Sequence, residues 1–228
     1  MVELLLKENE TRLMMNNEIE IKKRITLKAE EMFNKYGCTK VTMEELAESL
    51  GISKKTLYKH FANKEHVLKE IIYSNKCAVD SFIETLLADD SMEFIEKLKR
   101  FMKFIANQTS KMDSLLITDL MKNHPDFWND IQEFRNKKAH SNLSTLLQQG
   151  IKNGIFRKDI HADVLVLGYV GAIHNLITPE TLAELPISAN QVFKELMKIL
   201  FEGIFTPEGR KKYKTSIIVK DNYGETII

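Results

Sequence analysis

The chain has 228 residues, of which 43% are apolar, and its formal net charge is +1. Its two cysteines show no C-x-x-C spacing and no accompanying histidine pair, so neither a disulfide framework nor a metal site is predicted. No apolar run approaches the roughly 20 residues of a membrane-spanning helix and the N-terminus does not resemble a secretory signal, so we expect a cytoplasmic protein with no membrane partner.

Apolar residues recur at helical spacing throughout the chain, and the alternation typical of strands is almost absent. We therefore predict an all-α fold. A first helix is expected over 18–36, then short helices over 43–50 and from Ser53, and a fourth helix capped by Asn63 that runs past Cys77. Residues 1–17 are predicted as an N-terminal extension, either disordered or continuing the first helix.

Beyond Leu87 the predicted helices are longer and richer in aromatic residues and methionine, which indicates a second, larger helical domain over residues 79–206. Its helices are expected over 91–109, 111–122, 126–153, 163–177 and 188–205. His124-Pro125 forces a helix boundary, because the residue before a proline is disfavoured in the helical region. Residues 207–228 are predicted as a C-terminal tail, loosely ordered from Lys211.

The segment 41–61 has the features of a helix-turn-helix. Thr42 with Glu45 three residues later predicts a capping box at the start of a helix. Ala47 is small enough for a second helix to cross close by, and Gly51 tolerates the left-handed backbone that the turn needs. Ser53 can then cap the second helix of the pair.

The second helix of this pair carries a basic, acid-free face, although three acids lie just before it between Glu44 and Glu48. Hydrogen-bond donors on such a face suit phosphates and base edges. The candidate DNA-contacting residues on it are Ser53, Lys54, Lys55, Thr56, Tyr58, Lys59 and His60. Three alternatives stay open: the lysines as an ordinary solvated face, Tyr58 as a packing residue and His60 as a surface histidine. Leu57 and Phe61 are expected in the core.

These motifs resemble the TetR family of repressors. The resemblance rests on Ala29-Glu-Glu-Met-Phe, Tyr36-Gly37, Val41-Thr42, Leu46-Ala47, Leu50-Gly51-Ile-Ser53 and Thr56 to Glu65. It covers residues 18–78, whereas the remainder is similar to the family only in helix count and layout. The resemblance implies a DNA-binding domain over 18–78 joined to a ligand-binding and dimerisation domain. It also implies a homodimer that binds a palindromic operator, represses transcription and is released by a small-molecule inducer.

Carried over by position, the resemblance assigns roles to single residues. Lys54, Lys55 and Thr56 would enter the major groove, and Tyr58 and His60 would contact phosphates or thymine methyl groups. Lys55 either reads a guanine or adds a phosphate contact, because many family members have a small residue there. Thr42 and Lys64 would hold the DNA backbone.

The larger domain has a set of aromatic, methionine and histidine residues that are candidates for an apolar ligand pocket. They are Phe101, Phe104, Met112, Met121, Phe127, Trp128, Phe134, Tyr169 and His174. Such residues at helical spacing can equally form plain core, and His174 with Asn175 can instead face a dimer seam.

Small residues on the predicted helix 163–177 favour close approach by another helix. A dimer interface is therefore predicted from this helix and the helix 188–205, through Gly168, Gly171, Ala172, Phe193, Met197 and Leu200. Packing within one chain is the alternative.

Enzyme activity is not predicted, because the chain has no G-x-S-x-G, no P-loop and no clustered His, Cys and Asp at ligand spacing. No cofactor is expected. The expected partners are double-stranded operator DNA, a small-molecule inducer and a second copy of the chain. The competing hypothesis is a helical ligand-binding or protein-interaction module without DNA binding, against which the basic, acid-free helix argues.

Overall fold

The computed structural model describes residues 2–111, 114–176 and 178–218. Every regular element in these residues is an α-helix, which confirms the all-α prediction. The helices are α1 (Val2–Tyr36), α2 (Met43–Leu50), α3 (Lys54–His60), α4 (Lys64–Ala88), α5 (Phe94–Ser110), α6 (Leu115–Asn123), α7 (Pro125–Lys152), α8 (Ala162–Leu176), α9 (Pro179–Glu184), α10 (Ala189–Ile204) and α11 (Pro207–Ile218).

Both ends of the described chain are helical. Helix α1 begins at Val2, so the N-terminal extension continues the first helix, one of its two predicted alternatives. A loosely ordered tail is predicted from Lys211, but helix α11 contradicts this prediction over residues 211–218. Two contacts explain it: the Thr206 hydroxyl accepts a hydrogen bond from the Gly209 N–H at 2.9 Å, and Tyr213 packs against Phe205 with ring centroids 5.3 Å apart. Residues 219–228 lie outside the described residues.

The helices form two compact units. The first runs from the N-terminus to Asn75 and also includes Ser114–Phe127, and the second consists of Lys76–Asp113 with Trp128–Ile228. A division after residue 78 was predicted, which leaves 114–127 in the larger domain. The structure instead groups this segment with the first unit, because α6 packs along α1 and buries Leu116 and Leu120 there.

The first unit has its core where α1, α2, α3, the start of α4 and α6 meet. Local spacing explains this, since apolar residues recur on one face of each helix. The buried apolar residues are Ile25, Ala29, Phe33, Cys38, Val41, Met43, Leu46, Ala47, Leu57, Phe61, Val67, Leu68, Ile71, Ile72, Leu116 and Leu120. The short α2 and α3 are therefore held by packing and not by their own length.

The second unit is built around an aromatic cluster of Phe94, Phe156, Phe201, Phe205 and Tyr213. Phe94 and Phe156 meet edge to face with ring centroids 5.4 Å apart. The buried Lys97 ammonium donates to the Leu87 carbonyl at 3.0 Å and to Gln149 Oε1 at 3.2 Å, so its charge is hydrogen-bonded inside this core.

None of the described helices is both long and apolar enough to cross a lipid bilayer.

Candidate nucleic-acid interface

The turn that orients α3 is fixed by two local devices, both predicted from the sequence. Thr42 and Glu45 form the capping box: the Thr42 hydroxyl accepts from the Glu45 N–H at 3.2 Å, and Glu45 Oε2 accepts from the Thr42 N–H at 2.8 Å. Gly51 ends α2 with φ at 66°, in the left-handed region that favours glycine. Both predictions are confirmed.

Helix α3 is capped and anchored on its inner side. The Ser53 hydroxyl accepts from the Thr56 N–H at 3.0 Å, as expected of an N-cap serine. Leu57 is fully buried and Phe61 is 3% exposed, which confirms both as core residues. The inner face of α3 is thus committed to packing, and the opposite face is available to solvent.

The outward face of α3 presents the predicted side chains. Lys54, Lys55 and Lys59 are exposed, while Thr56 and His60 are half-buried. Tyr58 is 44% exposed, which disfavours the alternative that it fills a cleft between helices. The structure therefore brings these residues onto one accessible, basic surface.

Two acids from other helices face this surface, which the acid-free sequence of α3 did not predict. Glu18 of α1 pairs with Lys59 at 2.7 Å, and Glu44 of α2 pairs with Lys54 at 3.3 Å. The hydrogen bond and charge of Lys59 lower the pKa of Glu18. A hydrogen bond from its own backbone and one from Lys54 lower the pKa of Glu44. Both carboxylates therefore stay charged at neutral pH.

A surface groove of about 500 Å³ separates α3 from the first helix. It is lined by Asn17, Glu18, Ile21, Lys55, Thr56, Lys59 and His60. Glu18 is the functional candidate that sequence reasoning missed. Its separation from Lys59 by 41 residues left no local pattern to find.

The two predicted backbone clamps have protein partners in this structure. The Thr42 N–H and hydroxyl are both engaged by Glu45. The Lys64 ammonium donates to the carbonyl oxygens of Thr39 and Val41, each at 3.0 Å, and so stabilises the connection between α1 and α2. Contact of Thr42 and Lys64 with phosphates stays a prediction.

The predicted ligand-pocket residues divide between the two units. Met121 and Phe127 lie in the first unit, whereas Phe101, Phe104, Trp128, Phe134 and Tyr169 lie in the second. Phe101 is buried in the core of that second unit, and Phe104 stacks on Phe82 with centroids 4.0 Å apart. Met112 and the side chain of His174 lie outside the described residues.

Part of the predicted dimer interface requires correction. Phe193, Met197 and Leu200 of α10 are 3 to 5% exposed and belong to the core of the second unit, because this face of the helix packs within its own chain. Gly168 of α8 is exposed, and Gly171 and Ala172 are half-buried. A Cβ added at either glycine would meet nothing within 4 Å.

A capped turn that presents an exposed basic helix defines a helix-turn-helix DNA-binding protein. Residues 25–71 match the model of a family described as bacterial regulatory proteins, tetR family. The match assigns the helix-turn-helix segment of this chain to the type found in TetR-family transcriptional regulators.

Named regulators are similar to this chain over most of its length, and a solved structure has the same fold. The transcriptional regulator YvaF of Bacillus subtilis (strain 168) is 24% identical over 167 residues, which cover 73% of this chain and 87% of YvaF. The transcriptional repressor KstR2 of Mycolicibacterium smegmatis is 28% identical over 193 residues, which cover 80% of this chain and 90% of KstR2. A TetR-family regulator from Marinobacter aquaeolei VT8 has the same fold, with a TM-score of 0.60, 19% identity and coverage of 86% and 96% of the two chains.

Proposed function

We propose that this regulator binds a palindromic operator as a homodimer, represses transcription, and is released by a small, largely apolar molecule. The observation that carries the proposal is the exposed basic face of α3. The turn before this helix is fixed by Gly51, which caps the end of α2, and by Ser53, which caps the start of α3. The name of one relative, a repressor, supports repression as the direction of control.

Operator recognition is assigned to the exposed side chains of α3. Lysine donors in the major groove pair with guanine O6 and N7, while contacts to phosphates set orientation without reading sequence. Lys54 and Thr56 are proposed in the groove, and Lys55 either reads a guanine or contacts a phosphate. Tyr58 and His60 are proposed to contact phosphates or thymine methyl groups.

Gel-shift titration on the intergenic DNA upstream of the protein's own gene tests this assignment. Lys54→Ala and Tyr58→Ala should each weaken binding, and loss of a lysine that contacts a phosphate should reduce the salt slope by about 1. Lys103→Ala is the matched control, because it removes the same charge from the exposed face of α5 in the other unit. Full affinity in both α3 variants would refute the proposed surface.

The proposed homodimer uses the exposed face of α8. Val164 and Leu167 are 67% and 62% exposed there, next to Gly168 and Gly171, which permit close approach of a second helix. Phe193, Met197 and Leu200 of α10 are buried, so Ile199, which is 69% exposed, is proposed as the residue of α10 in this interface.

Light scattering at micromolar concentration measures the oligomeric state. Leu167→Glu should produce a monomer, because it puts a charge into an apolar contact. Leu27→Glu is the matched control, since Leu27 is 56% exposed on α1 in the other unit and should leave the dimer intact. A wild-type protein that is monomeric contradicts the dimer.

The inducer site is assigned to the second unit. Trp128 is half-buried there and is the chain's single tryptophan, so its fluorescence reports one location. Titration with apolar small molecules should change this emission and weaken operator binding over the same concentration range. Trp128→Phe controls for absorption by the added compound. Unchanged Trp128 emission across a broad library of apolar compounds would count against an inducer site near this residue.

A further inference from the structure

Three side chains of metal-binding type meet in the first unit at a place that DNA recognition does not use. Cys38 follows the end of α1, Asp119 lies in α6 and His124 caps the end of α6. One ligand atom from each, a sulfur, a carboxylate oxygen and a ring nitrogen, lies within 4.8 Å of the other two. Because 80 residues separate the turn around Thr39 from Asp119, the sequence spacing that predicted no metal site could not reveal this cluster.

The histidine has a hydrogen-bonding capacity that is not used. His124 Nε2 is buried, and no partner for it is found among the described residues. Buried polar atoms in folded proteins are nearly always paired, so such an exception calls for an explanation. A metal ion bound by the imidazole supplies one, because neutral histidine is the commonest metal ligand in proteins.

The carboxylate is already oriented by the residues around it. Asp119 accepts hydrogen bonds from the Thr39 N–H and from the Thr39 hydroxyl, the latter at 2.8 Å, and also from the Asn123 amide. Burial alone would raise the pKa of Asp119, but these hydrogen bonds outweigh burial and hold the pKa below its usual value. Hydrogen bonds to a ligating group from outside the coordination sphere are typical of protein metal sites, where they fix ligand orientation.

The thiol is buried at the same point. Cys38 is 1% exposed, and burial raises the pKa of its thiol to about 11, while the nearby Lys64 ammonium acts in the opposite direction. The ammonium is itself held by the two carbonyl oxygens of the connection between α1 and α2. Because a metal takes the thiol as thiolate, metal binding at this place would release a proton.

We propose that Cys38, Asp119 and His124 bind a zinc ion, with water in the fourth position. Sulfur, nitrogen and oxygen donors in this combination suit Zn²⁺, and three protein ligands leave one position open. Tetrahedral zinc with bonds of about 2.0–2.3 Å places its ligand atoms roughly 3.5 Å apart, so side-chain shifts of about an ångström close the site.

A metal at this position would tie two parts of the first unit that are distant in sequence. Cys38 stands in the connection that leads directly into the Thr42 cap of α2, and the other two ligands come from α6 and its C-terminal end. The ion would thus hold the approach to the helix-turn-helix against α6, because metal binding to ligands that only the folded chain brings together stabilises the folded state.

Titration of the metal-free full-length protein with Co²⁺, followed by competition with Zn²⁺, tests the proposal. Co²⁺ takes the same donors and tetrahedral geometry and absorbs visible light, and a thiolate ligand adds a charge-transfer band in the near ultraviolet. We expect saturation at one equivalent with both features. Cys77→Ser is the matched control, because this second cysteine is exposed on α4 and should leave the spectrum unchanged.

The variants separate a real site from unspecific binding. Cys38→Ser should lose the charge-transfer band, and His124→Gln should weaken Co²⁺ binding by roughly tenfold or more, since even partners outside the coordination sphere cost that much. Circular dichroism checks that each variant is folded. If Cys38→Ser does not fold, the Co²⁺ affinity and spectrum of His124→Gln decide whether the site exists. No saturable binding by the wild type, or wild-type spectra from His124→Gln, overturns the proposal. The metal titration contains no DNA, so its result does not depend on whether the protein binds an operator.

Discussion

Replacing Glu18 with glutamine is expected to strengthen operator binding. Glu18 Oε1 lies 2.7 Å from Lys59 Nζ at the edge of the groove beside α3, so a phosphate that approaches Lys59 must displace this carboxylate. Glutamine keeps the size of the side chain and removes its charge. Lys59 is then available to the DNA without a competing negative charge.

The size of the effect follows from the exposure of the pair. The side chains of Lys59 and Glu18 are 67% and 56% exposed, so solvent screens the attraction strongly. Exposed ion pairs of this kind contribute little, which translates into an increase in operator affinity of about two- to fivefold. Because salt screens exposed charges, the increase should shrink as ionic strength rises.

Fluorescence anisotropy with labelled operator DNA at several salt concentrations measures this change. Glu20→Gln is the matched control, since it removes the same charge two residues away on α1. In a Lys59→Ala background the gain in operator affinity from Glu18→Gln should largely disappear, because a double-mutant cycle isolates the interaction between these two residues. An equal increase from Glu20→Gln, or no increase from Glu18→Gln at low salt, would refute the argument that Glu18 competes with DNA for Lys59.

Other predictions concern stability. Gly150→Ala puts a Cβ into the space of the Phe156 ring, where three ring atoms overlap with it. The cost should therefore lie at the upper end of the about 1–3 kcal/mol that overpacking causes, exceed the gain of about 1 kcal/mol in helix propensity and lower the melting temperature. Gly203→Ala, with nothing within 4 Å, should leave the melting temperature unchanged or raise it. Thr42→Ala removes the α2 cap, should cost about 1 kcal/mol in chemical unfolding and should weaken operator binding; unchanged stability would contradict the role of the cap. Hydrogen bonds from the Thr42 backbone and hydroxyl lower the pKa of Glu45 in the folded protein. The Glu45 carboxylate therefore contributes its full stabilisation above the ordinary pKa of 4.5, and this contribution is lost as the pH falls through the lowered pKa of the folded state. Glu45→Gln should flatten this part of the stability profile, and a profile unchanged by the substitution would contradict the assignment.

The helix-turn-helix could be predicted from sequence because its determinants are local. The capping box of Thr42 and Glu45 spans three residues, and the left-handed Gly51 follows from the chemistry of one residue. Burial of Leu57 and Phe61 follows from helical spacing. Each of these features is decided within one or two turns of the chain, where the pattern is read directly.

The electrostatics of the site and part of the larger unit could not be predicted, because they depend on distant contacts. Lys59 is separated from Glu18 by 41 residues, and nothing in the spacing of either residue indicates the pair. An apolar stripe on α10 is equally compatible with a core and with an interface, and burial of Met197 within its own chain decided between them. Periodicity identifies an apolar face but not its partner.

The first unit is discontinuous along the chain, which bears on how such regulators can be recombined. The chain leaves this unit after Asn75 and returns for Ser114–Phe127 before leaving it again. A hybrid protein that takes its operator specificity from another regulator must therefore exchange two segments at three junctions. An exchange that stops near residue 78 would pair a foreign α1 with the resident α6, whose Leu116 and Leu120 fit the original surface.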